Sequence, residues 1–216
     1  KWTLYNQQLT ETFQVLLFLL VPAVTGMSVL ADSVYGSFYG FSELGSSVLA
    51  VYAPVTILFA MFSVTAAIMQ GINQQRFTVL SLLTGLLVKL SINIPLIRMF
   101  ETNGAVYATG LGFLVAILIN LYIIHYYSGY KLGLVIRRSL LALLIAAVMA
   151  VVVKLLDILL AGWLGSEGQM IAVLRVAITV PVGVVVYLLL SHKTGLLKAV
   201  LGEKTDGLMR KFRLKK

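Results

Sequence analysis

The 216-residue chain contains no cysteine and little charge. Without cysteine it can form neither a disulfide bond nor a thiolate-ligated metal site, so cysteine usage identifies no redox compartment. Charged residues make up 12% of the chain, against 60% hydrophobic residues and a mean hydropathy of +0.98. This composition excludes an ordinary water-soluble domain, whose surface needs far more charge.

Chemically reactive groups are equally scarce. The chain has eight acidic residues and two histidines, and neither His125 nor His192 has a second histidine or a carboxylate at metal-ligand spacing. No glycine-rich phosphate loop and no nucleophile with a nearby base is present. We therefore expect no enzyme, no metal site and no cofactor.

What the chain does contain is six long apolar runs, each of about 20 residues, the helical length that crosses a hydrocarbon core of roughly 30 Å. They cover residues 12–31, 46–69, 77–97, 104–124, 139–160 and 169–190. Uninterrupted runs lack the two-residue alternation of a barrel strand. The sequence predicts an all-α, polytopic transmembrane bundle over residues 1–192. Because the chain begins with Lys1 rather than methionine, we expect a piece of a longer protein.

Residues 193–216 form a basic tail. Its apolar residues repeat at intervals of four and seven and would share one helical face: Leu197, Leu201, Leu208 and Phe212. This pattern favours an amphipathic helix at the membrane surface, with a protein-docking tail as the alternative. Anionic lipid head groups are the expected partner of the basic residues, and the net charge of +9 requires no nucleic acid.

The basic residues also predict the orientation of the chain. Twelve of them lie after the second, fourth and sixth runs, whereas the alternate loops contain only Arg98. Lysine and arginine collect on the cytoplasmic side of a membrane. Both ends of the six-span unit should therefore be cytoplasmic.

Ionisable residues inside the runs are the candidate functional residues, because a charge facing lipid costs a few kcal/mol. Lys89 is the deepest, and Asn93 follows one turn later on the same helical face. We consider both candidates for transport or gating, with a structural charge as the alternative for Lys89. Lys154, Asp157 and Arg175 lie toward the outer ends of the last two runs. They are candidates for an ion pair that joins these helices, or for contact with a ligand head group.

Small residues recur every four positions in two of the runs and predict close helix packing. They are Gly104, Ala108, Gly112 and Ala116 in the fourth run, and Ala142, Ala146 and Ala150 in the fifth.

Four segments together resemble one transporter family. They are Leu20-Val-Pro-Ala-Val-Thr-Gly-Met, Ala67-Ile-Met-Gln-Gly-Ile-Asn-Gln-Gln, Val88-Lys-Leu-Ser-Ile-Asn-Ile-Pro-Leu-Ile and Asn103-Gly-Ala-Val-Tyr-Ala-Thr. Their order and spacing resemble the polysaccharide biosynthesis and stage V sporulation protein B branch of the multidrug/oligosaccharidyl-lipid/polysaccharide exporter superfamily.

The resemblance implies the last six of fourteen helices of a bacterial plasma-membrane flippase. Such a flippase moves undecaprenyl-linked envelope precursors, lipid II or a related glycan, by alternating access. It further implies that residues 139–190 contact the prenyl chain, and that the cationic cavity residues lie in the missing N-terminal part of the same protein. Lys89 and Asn93 alone carry across from the family motif. The alternatives are a drug or cation exporter of the same superfamily and a six-helix membrane scaffold that transports nothing.

Overall fold

The computed structural model describes residues 2–129, 133–165 and 168–201, and these residues form eight α-helices. The helices are α1 (Trp2–Val29), α2 (Ala31–Tyr39), α3 (Glu43–Gly71), α4 (Gln75–Phe100), α5 (Thr102–Ser128), α6 (Gly133–Leu164), α7 (Gln169–Lys193) and α8 (Leu196–Leu201). Within these ranges, six helices are long and apolar enough to cross a membrane: α1 and α3 to α7. The predicted all-α bundle with six spans is confirmed.

The first span differs from its predicted bounds at both ends. The apolar run at 12–31 was expected to be one helix, but α1 begins at Trp2 and ends at Val29, and α2 begins at Ala31 after a break. At the break, Leu30 has φ −95° and ψ 17°, away from the helical value of ψ near −42°. Hydropathy stays high across this break and therefore cannot reveal it. At the other end the helix continues through polar residues, where Gln7 Nε2 donates to Glu11 Oε1 at 3.1 Å.

The long helices are arranged in a row. In the order of their contacts they are α4, α5, α3, α1, α6 and α7, while α2 packs between α3 and α7. Buried side chains form one apolar cluster around α1, α6, α7 and α8, and a second around α1, α3, α5 and the start of α6. Both α1 and α6 contribute to the two clusters, and α1 lies between α3 and α6 in the row, at the centre of the bundle.

The helix α4 lies at one edge of the row and packs mainly on α5. Its contact is very close, because an added Cβ at Gly85 would collide with the carbonyl oxygen of Gly112, and one at Gly112 would lie 2.7 Å from that of Gly85. Ala108 and Ala116 are also buried on this face. The predicted small-residue seam of the fourth run is thus confirmed, and its partner is α4.

A buried polar chain joins α3, α4 and α5. Asn120 on α5 accepts a hydrogen bond from Ser81 Oγ at 2.7 Å and donates to Thr65 Oγ1 at 3.1 Å. All three side chains are fully buried. Because water cannot compensate for a lost partner here, these bonds fix the register of the three helices.

The tail helix α8 packs against the bundle. Leu196 and Val200 are buried against α1 and α6, and Leu197 is half-buried at the edge of the same cluster. The buried face therefore differs from the predicted one, which began at Leu197, because the cleft beside α1 accepts the residues one position earlier. The side chain of Leu201 and all of residues 202–216, with Leu208 and Phe212, lie outside the described residues.

Candidate functional site

An apolar groove of about 390 Å³ runs between α1, α6 and α7. The residues that line it come from all three helices and from α2; those used below are Phe18, Gly26, Leu30, Met149, Val153, Thr179, Gly183 and Tyr187. Two of its walls fall within residues 139–190. The third wall, α1, was not assigned to a binding role from the sequence.

Glycines shape both walls of the groove. At Gly183 on α7, an added Cβ would lie 2.9 Å from Val153 Cγ2, so the glycine lets α7 approach α6 closely. At Gly26 on α1, an added Cβ would meet nothing within 4 Å. Gly26 therefore leaves open space where almost any other residue would project a side chain into the groove.

The polar groups beside the groove are already hydrogen-bonded. Tyr187 Oη donates to the carbonyl oxygen of Phe18 at 3.0 Å and thereby joins α7 to α1. Thr179 Oγ1 donates to the carbonyl oxygen of Arg175 at 2.7 Å. With these groups satisfied, the lining offers hydrocarbon contacts and is suited to an apolar chain rather than to a polar solute.

Charged residues lie beyond the end of the groove that adjoins α2, which we call the α2 end. Asp157 on α6 forms a two-point ion pair with Arg175 on α7, with Nη2 to Oδ2 at 2.7 Å and Nε to Oδ1 at 3.0 Å. Ser33 on α2 donates to the same Oδ1 at 2.9 Å. All three residues are buried, so the carboxylate fixes α2, α6 and α7 together.

Lys154 lies one turn before Asp157 and contacts the other side of the helix break. Its Nζ donates to the carbonyl oxygen of Val29, the last residue of α1, at 3.3 Å. The last carbonyls of a helix lack partners within that helix. Lys154 and Asp157 therefore hold the end of α1 and the first turn of α2 from a single face of α6.

Lys89 and Asn93 lie elsewhere, on α4 at the opposite edge of the row. Lys89 is half-buried, about 21 Å along the helix axis from Gln75, and its Cβ packs over Gly112 on α5. Among the described residues, its ammonium group has no hydrogen bond or ion pair, and the buried Oδ1 of Asn93 has no partner either. The structure thus divides the five sequence-predicted residues between two places.

Sequence reasoning missed Ser33 and Tyr187, which make key contacts around the groove. A serine next to an apolar run and a tyrosine near the end of a span are common features of membrane helices, and neither carries a distinctive signal. The polar position Gln14 inside the first run was one available hint that α1 faces protein rather than lipid.

The fold defines the chain as a multi-pass α-helical membrane protein, with an apolar groove between three of its spans. Its sequence is 40% identical to that of the lipid II flippase MurJ of Bacillus subtilis, over 98% of this chain and 40% of that protein. It is 26% identical to the probable low-salt glycan biosynthesis flippase Agl15 of Haloferax volcanii, over 60% of this chain and 28% of that protein. The resemblance to the lipid II flippase-like branch of the exporter superfamily is therefore confirmed.

The chain spans less than half the length of either relative. No family model matches it, and no solved structure matches it significantly. Both relatives bear the names of transporters rather than of enzymes.

Proposed function

We propose that the chain is part of a flippase for lipid-linked cell-envelope precursors, and that the groove between α1, α6 and α7 holds the polyprenyl tail. The support is chemical: the lining is hydrocarbon, and its few polar groups already have partners. The names of the two relatives, one a lipid II flippase and the other a glycan biosynthesis flippase, point to the same substrate class.

The length of the groove supports this proposal as well as its lining does. Phe18 and Leu30 both line it, and the helix between them rises about 18 Å, more than half of a hydrocarbon core of roughly 30 Å. A chain lying there would stay at membrane depth. A compact drug or cation would use little of this surface, and a cation would need an acidic partner, which the lining does not offer.

Within this proposal, the polar head group of the precursor crosses the membrane at another place in the protein. We assign Lys89 and Asn93 to the surface that takes part in transport or gating. The supporting observation is that both side chains have unused hydrogen-bonding capacity in the middle of a span. A lysine there should face an acidic group or a wet cavity rather than lipid. We assign that partner to the substrate or to the rest of the full-length flippase.

Lys89→Leu should then reach the membrane in normal amount and lose transport. Arg98→Leu, on the same helix but at its end, is the matched control and should keep transport. If Lys89→Leu instead lost expression, the lysine would be structural.

The charge pattern supports a topology in which both ends of the six-span unit are cytoplasmic and the basic residues after α7 contact anionic lipids. The reaction proposed is translocation in a bacterial cell membrane, with no covalent bond made or broken and no cofactor. Lys154, Asp157 and Arg175 hold the walls of the groove in place in this proposal, rather than binding the head group.

The test fills the groove without disturbing the packing. Gly26→Phe, made in the full-length protein, projects a ring into the open space and should abolish exposure of the precursor at the outer cell surface. Gly162→Phe is the matched control, because Gly162 also lies in a helix with nothing within 4 Å of an added Cβ, but it does not line the groove. Both variants should be present in the membrane in equal amounts.

Unchanged precursor exposure with Gly26→Phe would contradict the proposed use of the groove. Loss of exposure with both variants would also contradict it, because the effect would then not depend on the groove.

A further inference from the structure

The groove stops abruptly at Phe18. On the other side of this residue lies a separate void of only about 10 Å³, compared with about 390 Å³ for the groove. The remaining void is lined by residues of α1, α6 and α8: Gln14, Leu17, Phe18, Ala142, Leu196 and Val200 are among them. Phe18 lines both spaces and stands between them, so the small void lies next to the groove, further toward the start of α1 and of α6.

Two side chains of α8 line this void and occupy the space around it. Leu196 is 2% exposed and Val200 is 8% exposed, whereas Lys198 and Ala199 between them are exposed. Both buried residues belong to the same apolar cluster as the groove-lining Phe18 and Tyr187. A helix of only six residues is not stable alone in water, so this packing holds α8 in place.

Arg138 on α6 fastens α8 from the other side. Its Nη1 donates to Gln14 Oε1 on α1 at 2.6 Å and to the carbonyl oxygen of Ala199 on α8 at 3.0 Å. Gln14 is buried, and Ala199 lies in the last turn of α8, where the carbonyls have no partner within the helix. One guanidinium therefore joins three helices at the closed end.

We infer that α8 is the end wall of the groove and that Arg138 keeps α8 packed against α1 and α6. In this position α8 limits how deeply an apolar chain can enter the groove. This inference rests on the proposed function for the identity of that chain. Undocking α8 would extend the groove past Phe18 toward Gln14, one helical turn or about 6 Å further along α1. The depth of the tail site is thus set by a helix outside the membrane spans.

The test of docking is cysteine accessibility, which is direct because this chain contributes no cysteine of its own. Val200→Cys is introduced into a cysteine-free, full-length protein in lipid nanodiscs and reacted with a water-soluble maleimide. It should react far more slowly than Lys198→Cys, which lies on the exposed side of the same helix. Equal rates at the two positions would overturn the inference.

Adding Arg138→Gln should speed labelling of Val200→Cys by about tenfold, because a lost hydrogen bond to a charged group shifts the opening equilibrium by roughly that factor. The neighbouring Arg137→Gln is the matched control, since Arg137 is exposed, and should leave the rate unchanged. Ile124→Cys, fully buried in the other apolar cluster, should stay protected in the Arg138→Gln protein. An unchanged Val200→Cys rate with Arg138→Gln, or loss of protection at Ile124→Cys, would remove the specific role of Arg138.

Depth is measured with a photoreactive polyprenyl phosphate and a mass-spectrometric map of the crosslinks. In the parent protein we expect crosslinks at Met149, on the groove side of Phe18, and none at Ala142, on the α8 side. The variant Arg138→Gln should show additional crosslinks at Ala142. Crosslinks at Ala142 in the parent would refute the end wall. Absence of crosslinks at Met149 would instead refute the tail site of the proposed function, while the labelling rates would still decide whether α8 is docked.

Discussion

The Asp157–Arg175 ion pair should contribute more to stability than any other interaction at the α2 end. The variant Asp157→Ala should show how large this contribution is. The change removes two charge-assisted contacts to Arg175, at 2.7 and 3.0 Å, together with the acceptor for Ser33. Arg175 is only 6% exposed and would be left as an uncompensated buried charge. Breaking such a pair costs about 3–5 kcal/mol. The loss of the Ser33 bond adds about 1 kcal/mol.

The double variant Asp157→Leu with Arg175→Met distinguishes the attraction between the two charges from the cost of burying them. Replacing both partners with apolar residues removes the desolvation penalty of each ion and is often neutral. We therefore expect the double variant to recover most of the stability that Asp157→Ala loses. The assay is the melting temperature of the detergent-solubilised full-length protein, followed by fluorescence-detected gel filtration.

The reasoning would be refuted by an Asp157→Ala protein that melts like the parent. It would also be refuted by a double variant as unstable as the single one, since the charges themselves would then be needed. Ser33→Ala, which keeps the ion pair, should lower the melting temperature far less than Asp157→Ala.

Two further changes test the other half of the bundle. Gly112→Val should separate α4 from α5 and lower the melting temperature, since overpacking costs about 1–3 kcal/mol, whereas Gly162→Ala, with open space around it, should be neutral or slightly stabilising. Asn120→Leu should destabilise the protein by about 1–2 kcal/mol in the same assay, because it leaves the buried Ser81 and Thr65 hydroxyls without their side-chain partner. A melting temperature unchanged by Asn120→Leu would show that the hydrogen bonds of Ser81 to the Thr78 carbonyl and of Thr65 to the Phe62 carbonyl satisfy the two hydroxyls without Asn120.

The sequence predicted the spans because the hydropathy of a run depends only on its own composition. It does not depend on which helices pack against that run. The sequence also predicted the small-residue seam of α5, although not that α4 packs on it, since glycine and alanine at every fourth position have few other uses in a membrane helix. The break at Leu30 was beyond such reasoning, because Leu30 is as apolar as its neighbours and no proline or glycine adjoins it. The break is stabilised from outside, by Lys154 and Asp157 on a helix more than a hundred residues later.

The groove illustrates the same limit at the level of the site. Its walls α6 and α7 are adjacent in sequence, and the family resemblance pointed to them, but α1 lies more than a hundred residues earlier and carries no motif for an apolar ligand. Apolar lining cannot be told from apolar core in a sequence, because both consist of the same residues at the same spacing. What distinguishes a groove is missing volume, here the side chain that Gly26 does not have. For this reason Gly26→Phe is a sharper probe of the site than removal of any of the charged residues, whose contacts hold the groove walls together without lining the groove itself.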